Sequence, residues 1–130
     1  MPYILITPSD LKPKPDDYEQ RTAAIVANHF KTDIRFVKRG AYPSPDLYLM
    51  RQRQYWEIKH IRKNGKRTIA NALRASDSQS ENVVISLLRA ENMTAAQASG
   101  RINAFLQSGP TRIKRIVLAT KSHKALDIKQ

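Results

Sequence analysis

Pro45-Asp46-Leu47-Tyr48-Leu49-Met50-Arg51-Gln52-Arg53-Gln54-Tyr55-Trp56-Glu57-Ile58-Lys59 reads as two short strands, residues 46–50 and 53–59, joined at a polar Arg51-Gln52 tip. With that tip, facing residues have numbers summing to 103. Met50 then faces Arg53, Leu47 faces Trp56 and Asp46 faces Glu57. Side chains alternate along a strand, so Lys59 joins Glu57 and Asp46 on one face, while Leu47, Leu49, Trp56 and Ile58 turn to the other. One register therefore yields an apolar face and a polar cluster together. The tip lacks the Asn-Gly chemistry that two-residue hairpins prefer.

The flanking segments extend this hairpin into a layered domain. Pro8, Pro13 and Pro15 make residues 7–15 an extended lead-in, and Asp16-Asp17 suits the positive N-terminal end of a helix. Tyr18, Thr22, Ile25, Val26 and His29 recur at helical spacing to about residue 30, with Glu19 beside that face. A strand is expected from Asp33 to Arg39, closed by Gly40 and the turn Tyr42-Pro43-Ser44-Pro45. Ile69, Ala72, Leu73 and Ser76 mark a second helix from Thr68 to Gln79, and residues 82–88 form a nearly continuous apolar run that belongs to a central strand. Thr94 caps a third helix whose buried side is Ala98, Ile102, Phe105 and Leu106, and Gly109-Pro110 stops it. Ile113, Ile116, Val117 and Leu118 make a last strand, before a polar, basic and loosely held tail. The order is α-β-β-β-α-β-α-β, an α/β domain with a mixed central sheet and flanking helices. The expected organisation is a lead-in at 1–15, one domain at 16–120 and a tail at 121–130.

The 130 residues suffice for one core. No apolar run approaches the length of a membrane-spanning helix, and no membrane partner is expected. The chain has no cysteine, which removes disulfides, thiolate metal sites and thiol nucleophiles from consideration. The formal charge is +12 and unevenly placed: residues 1–33 hold 4 basic and 5 acidic groups, residues 34–130 hold 19 and 6. The second part is thus +13 against −1, a field that concentrates polyanions. Nucleic acid is the expected partner.

Two carboxylates facing each other across a hairpin, with Cβ atoms about 4.5–5.5 Å apart, repel unless a cation bridges them. A hard divalent ion bound by carboxylate oxygens and water does this. Such an ion polarises a phosphodiester and lowers the pKa of its water, and Lys59 can orient that water or stabilise the developing charge. Tyr48 shares the face of Asp46 and Glu57 and can touch substrate. Trp56, on the apolar side, belongs to the core. The loop Arg62-Lys63-Asn64-Gly65-Lys66-Arg67 follows the strand directly, so Arg62, Lys63, Lys66 and Arg67 are candidate phosphate contacts, with Arg112, Lys114 and Arg115 as weaker ones. His29, His60 and His123 are too dispersed for a ligand set and receive no catalytic role.

Pro45-Asp46 on one strand and Glu57-Ile58-Lys59 on the next, within an αβββαβ order over residues 16–119, resemble the PD-(D/E)XK nuclease superfamily. The resemblance implies a restriction-endonuclease-like domain in which Asp46 and Glu57 hold the metal, the Ile58 carbonyl adds a ligand and Lys59 serves the water. It further matches Glu19 to an extra first-helix acid, and Gln79 to a glutamine beside the site. The implied metal is Mg²⁺, with Mn²⁺ or Zn²⁺ as alternatives. The runs Trp56-Glu57-Ile58-Lys59, Thr68-Ile69-Ala70-Asn71-Ala72-Leu73-Arg74-Ala75, Ser78-Gln79-Ser80-Glu81-Asn82 and Val83-Val84-Ile85 are closer to the C-terminal tRNA-nuclease toxin domains of CdiA-type contact-dependent inhibition proteins. That likeness implies tRNA before DNA, an acidic immunity partner, and a cytoplasmic site of action after delivery from another cell. The usual Val-Glu-Asn-Asn leader of such tails is lacking. Two other readings stand beside it: a DNA-cleaving relative, and a nonenzymatic basic nucleic-acid-binding module in which Asp46, Glu57 and Lys59 are an ordinary charge cluster.

Overall fold

The computed structural model describes residues 3–38 and 45–130. The expected order is present, with one strand added at each end: β1 (Leu5–Ile6), α1 (Asp17–Phe30), β2 (Ile34–Phe36), β3 (Leu47–Leu49), β4 (Gln54–His60), α2 (Thr68–Ser76), β5 (Asn82–Ser86), α3 (Ala95–Gln107), β6 (Arg115–Ala119) and β7 (Ala125–Lys129). The seven strands form one mixed sheet in sequence order, β1 to β7. β2–β3, β3–β4 and β6–β7 are antiparallel, and β4–β5–β6 are parallel. The expected turn at residues 40–44, and Arg39 of the expected strand, lie outside the described residues.

Alternation along the strands divides the core in two. Leu47, Leu49, Trp56 and Ile58 pack with Val84 and Val117 beneath Ala23, Val26 and Ala27 of α1. Val83, Ile85 and Leu118 pack on the opposite face with Ile69 and Leu73 of α2 and Ala98 and Ile102 of α3. Trp56 is fully buried and meets the Phe30 ring at 5.1 Å, as its place on the apolar face requires. β5 has parallel neighbours on both sides, and residues 83–87 are all buried. Its unbroken apolar run reflects a strand covered on both faces.

The hairpin register is the expected one, but the turn differs. Leu47↔Trp56, Tyr48↔Tyr55 and Leu49↔Gln54 are paired, and Met50–Arg53 form the turn. The Arg53 N–H donates to the Leu49 carbonyl at 2.8 Å, and Arg53 takes a left-handed φ of 55°. This four-residue reversal has no use for an Asn-Gly pair. It is also tied to the end of α1, because Arg51 and Gln52 side chains both donate to the Phe30 carbonyl.

Four expectations need correction. The second helix stops at Ser76, not Gln79. Asp77 caps it, its N–H still donating to the Leu73 carbonyl while its carboxylate accepts from the Thr111 hydroxyl and from the Arg112 N–H at 2.8 Å. The final helix side is less buried than its spacing suggests: Ala98 and Ile102 are enclosed, whereas Phe105 and Leu106 are only partly covered. The tail is no loose end, since Ala125–Lys129 pair with β6 and make one edge of the sheet. Its turn is closed by Thr120, whose N–H donates to the Lys124 carbonyl and whose hydroxyl accepts the Lys124 N–H. Likewise Leu5–Ile6 of the expected lead-in pair with β2, and the Asp33 carboxylate fixes them by accepting the Ile4 N–H at 2.9 Å.

Deleting residues 121–130 is therefore expected to lower stability by about 2–5 kcal/mol, from the lost β6–β7 hydrogen bonds and the lost packing of Ala125 and Ile128 on the two cores. Urea unfolding of the full and shortened chains measures it; equal midpoints would mean that β7 contributes nothing.

Candidate functional site

Asp46 and Glu57 come together by a route other than simple cross-strand pairing. The β3–β4 ladder ends at Leu47↔Trp56, and Asp46 sits in a bend just before β3. Its N–H donates to the Trp56 carbonyl at 3.0 Å, and its carboxylate Oδ2 accepts the Ile58 N–H at 2.8 Å. The side chain thus takes the place of a backbone acceptor and is swung onto β4. There it is hydrogen-bonded to the Glu57 carboxyl. Glu57 is 4% exposed, an unusual burial for a carboxyl group.

Burial, then the hydrogen bond and the like charge of Asp46, push the Glu57 carboxyl up to about 9; the Lys59 ammonium pulls the other way. The Glu57 carboxyl of the metal-free protein is accordingly protonated at neutral pH. Lys59 is half-buried and, by alternation, on the same face as Glu57. The three residues are thus brought together, Asp46 through its bond to the Ile58 amide and not by direct pairing with Glu57.

The remaining candidates are distributed around them. Tyr48 lies two residues along β3 from Asp46 and stacks at a tilt on Tyr55, ring centroids 4.8 Å apart. Gln79 lines a groove of about 580 Å³ with Pro45, Tyr55 and Arg115, and its side-chain carbonyl is buried with no hydrogen-bond partner among the described residues. Glu19 is the third residue of α1 and closes a capping box with Asp16: its N–H donates to Asp16 Oδ1 at 2.8 Å, and its carboxylate accepts the Asp16 N–H at 3.5 Å. The Asp16-x-x-Glu19 spacing is the sequence signal for that role. Ile58 offers its side chain to the core and its N–H to Asp46.

Arg62, Lys63, Lys66 and Arg67 are exposed on the loop that joins β4 to α2. This loop is anchored. Asn64 donates to the Asn92 carbonyl, and the Glu91 N–H donates to the Arg62 carbonyl. Arg101 of α3 reaches Asn64 and the Gly65 carbonyl, adding a fifth cation that sequence spacing does not reveal. Arg112, Lys114 and Arg115 lie at the opposite end of the parallel strands, before and at the start of β6.

His60 was not expected at a site, yet both its ring nitrogens are buried without a hydrogen-bond partner among the described residues. Burial holds its imidazole below the ordinary value; Asp16 and Asp46 oppose that, while Arg89 and Arg62 reinforce it. The end of β4, the start of α1 and Asp46 therefore share one electrostatic neighbourhood. Arg89 stacks over Tyr18 at 4.9 Å in the same region.

The fold is a mixed α/β sheet domain in which a buried glutamate meets a half-buried aspartate beside a lysine, in a strongly basic chain. The family model for the contact-dependent growth inhibition CdiA C-terminal domain matches residues 44–125, and the chain belongs to that family. A solved structure, the CdiA-CT/CdiI toxin and immunity complex from Burkholderia pseudomallei, is similar at a TM-score of 0.65 and 19% identity, over 97% of this chain and 98% of that one. At that identity the likeness speaks for the fold. None of the curated proteins matches the sequence. Among the described residues, no helix is long and apolar enough to cross a membrane.

Proposed function

We propose that this domain is a toxin that hydrolyses phosphodiester bonds in nucleic acid with a divalent metal, as a PD-(D/E)XK nuclease, with RNA such as tRNA as substrate before DNA. The observation that carries this reading is the buried Glu57 carboxyl, hydrogen-bonded to the half-buried Asp46 and flanked by Lys59. An ordinary surface charge cluster needs neither the burial nor the diversion of Asp46 onto the Ile58 amide. Two carboxylates and a neighbouring carbonyl form an oxygen donor set suited to Mg²⁺, which keeps several waters. No group of three or more His, Cys, Asp or Glu converges among the described residues, so Zn²⁺ and a full protein cage fit less well than Mg²⁺ or Mn²⁺.

Bound by Asp46, Glu57 and the Ile58 carbonyl, such an ion would supply Lewis acidity and a water of lowered pKa. The chain does the rest. The Ile58 N–H fixes the Asp46 carboxylate, and burial of Glu57 keeps bulk water from its carboxyl. Lys59 orients the attacking water and stabilises charge on the phosphorus oxygens. Gln79 offers its buried carbonyl to the edge of the site, Glu19 adds negative charge from the start of α1, and Tyr48 meets substrate on the open face. Arg62, Lys63, Lys66 and Arg67 hold phosphates at the start of α2, whose first turn has no acid to oppose them.

Incubation with total tRNA and with plasmid DNA, each with Mg²⁺ or EDTA, is the direct test. Cleavage of tRNA that EDTA abolishes is expected; binding without cleavage under every condition would favour the nonenzymatic module. Neutralising the four loop cations together should reduce the slope of log affinity against log salt by about 3, with little change in single-turnover rate at saturation. An unchanged slope would put the loop away from the substrate.

The toxin reading rests on family membership, and the resemblance to a toxin–immunity complex supports an immunity partner, whose acidity is inferred from the charge of this chain. Such a partner would bind the +13 region fast and in a salt-sensitive way. Action in the cytoplasm of another cell, after delivery as part of a larger secreted protein, belongs to the same proposal.

A further inference from the structure

Arg35, Tyr48 and Tyr55 stand directly opposite one another on three adjacent strands, Arg35↔Tyr48 and Tyr48↔Tyr55. They share the sheet face that α1 does not cover. The Arg35 guanidinium lies 5.2 Å from the Tyr48 ring centroid, and the Tyr48 and Tyr55 centroids are 4.8 Å apart. On that face α2 packs over β4 and β5 and α3 over β6 and β7, so among the described residues neither helix lies mainly over β2 or β3. Tyr55 is 46% exposed, and Arg35 is exposed as well. A continuous row of a cation and two rings whose outer members are exposed is a costly surface for a domain that has a buried place for Trp56 next door.

Strand geometry sets this row beside the carboxylates. Asp46 precedes Tyr48 by two residues and Glu57 follows Tyr55 by two, so the pair lies about 7 Å along the strands on the same face. Tyr55 also opens into the groove of Pro45 and Gln79, where Arg53, Lys114 and Arg115 outnumber the single acid Glu81. Rings beside a cationic track are the chemistry by which single strands are bound: bases stack on the rings and phosphates follow the charge. A paired helix keeps its bases stacked within itself and cannot use them.

We propose that the Arg35–Tyr48–Tyr55 ladder is a stacking platform for unpaired nucleotides flanking the bond to be cut, so that the substrate is single-stranded or looped nucleic acid. This rests on the nuclease reading of Asp46 and Glu57 and deepens it. Arg35 holds the Tyr48 ring in place and faces the neighbouring phosphate; Tyr55 presents the free ring.

The test is binding in EDTA, where cleavage cannot interfere, with a short unpaired oligonucleotide carrying 2-aminopurine and with the same sequence in a blunt duplex. The strand should bind at least about tenfold tighter than the duplex, with quenching of the fluorophore. Tyr55→Ala should weaken strand binding by about tenfold or more and remove the quenching. Tyr55→Phe should retain both, and Tyr55→Ala should leave the salt slope unchanged because no cation is lost. Arg35→Ala should lower that slope by about one counterion. Tyr55 is a partly exposed strand residue, and circular dichroism checks that each variant folds. Equal affinity for strand and duplex, or wild-type quenching in folded Tyr55→Ala, overturns the platform. So does a Tyr55→Ala variant that loses only a protein partner. Failure of the nuclease reading shows elsewhere, as undiminished cleavage by a Glu57 variant, and leaves this binding result standing.

Discussion

Glu57→Gln is expected to reduce metal-dependent cleavage by about 10²- to 10³-fold or more, while the protein still binds nucleic acid through its cations. The substitution keeps the volume and hydrogen-bonding capacity of a buried side chain but removes the charge that a divalent ion needs. It should also change stability in a direction set by the raised Glu57 carboxyl. The folded state holds this proton up to about 9, whereas the unfolded chain releases it near 4.5. Between those values the native state binds more protons than the unfolded one, so stability falls as pH rises through the window. The slope reaches at most about 1.4 kcal/mol per pH unit. Thermal melts of the metal-free protein should thus show Tm falling from pH 5 to pH 9, and Glu57→Gln should flatten that fall. Saturating Mg²⁺ should oppose it at the alkaline end, because the ion replaces the proton. Cleavage at the parental rate by Glu57→Gln would end the assignment of the site.

Lys59→Met should separate chemistry from binding. It keeps the aliphatic stem of a half-buried side chain and deletes the ammonium, so packing beside Ile85 survives. Single-turnover cleavage is expected to drop by about 10²-fold or more, with affinity for nucleic acid changed no more than one lost cation requires. The loss of the nearby positive charge should also raise the Glu57 carboxyl further and move the alkaline end of the stability window upward. An undiminished single-turnover rate with weaker binding would make Lys59 a phosphate contact only.

The sequence exposed the fold where alternation and helix caps were strong. The register of β3 against β4 follows from the need to bury Leu47, Leu49, Trp56 and Ile58 together, and it already puts Asp46 near Glu57. The shape of the turn did not follow, because a left-handed Arg53 leaves no signature in composition. Nor did β7, whose Leu126 and Ile128 sit among charged residues and take their place through the partner strand β6. Glu19 shows the limit for site residues: a helix-start acid can serve a cap or a site, and spacing alone reveals the cap. Likewise His60, Arg101 and the Arg35–Tyr48–Tyr55 row are products of tertiary contact, invisible to local pattern.

Because strand order equals chain order, every sheet contact joins strands that are neighbours in sequence, and the sheet can be extended or peeled one strand at a time from either end. α1 breaks that locality. It packs against β1 near the start and against β6 and β7 near the end, and His29 reaches Asp127 at 2.9 Å. A chain emerging end-first from a narrow passage can add strands as they appear, yet it gains the full core only when α1 meets the last two. Assembly is thus directional in its steps and all-or-none in its completion. The Asp46–Glu57 pair, on the opposite face of the same sheet, would rest on a completed support only once β6 and β7 had arrived.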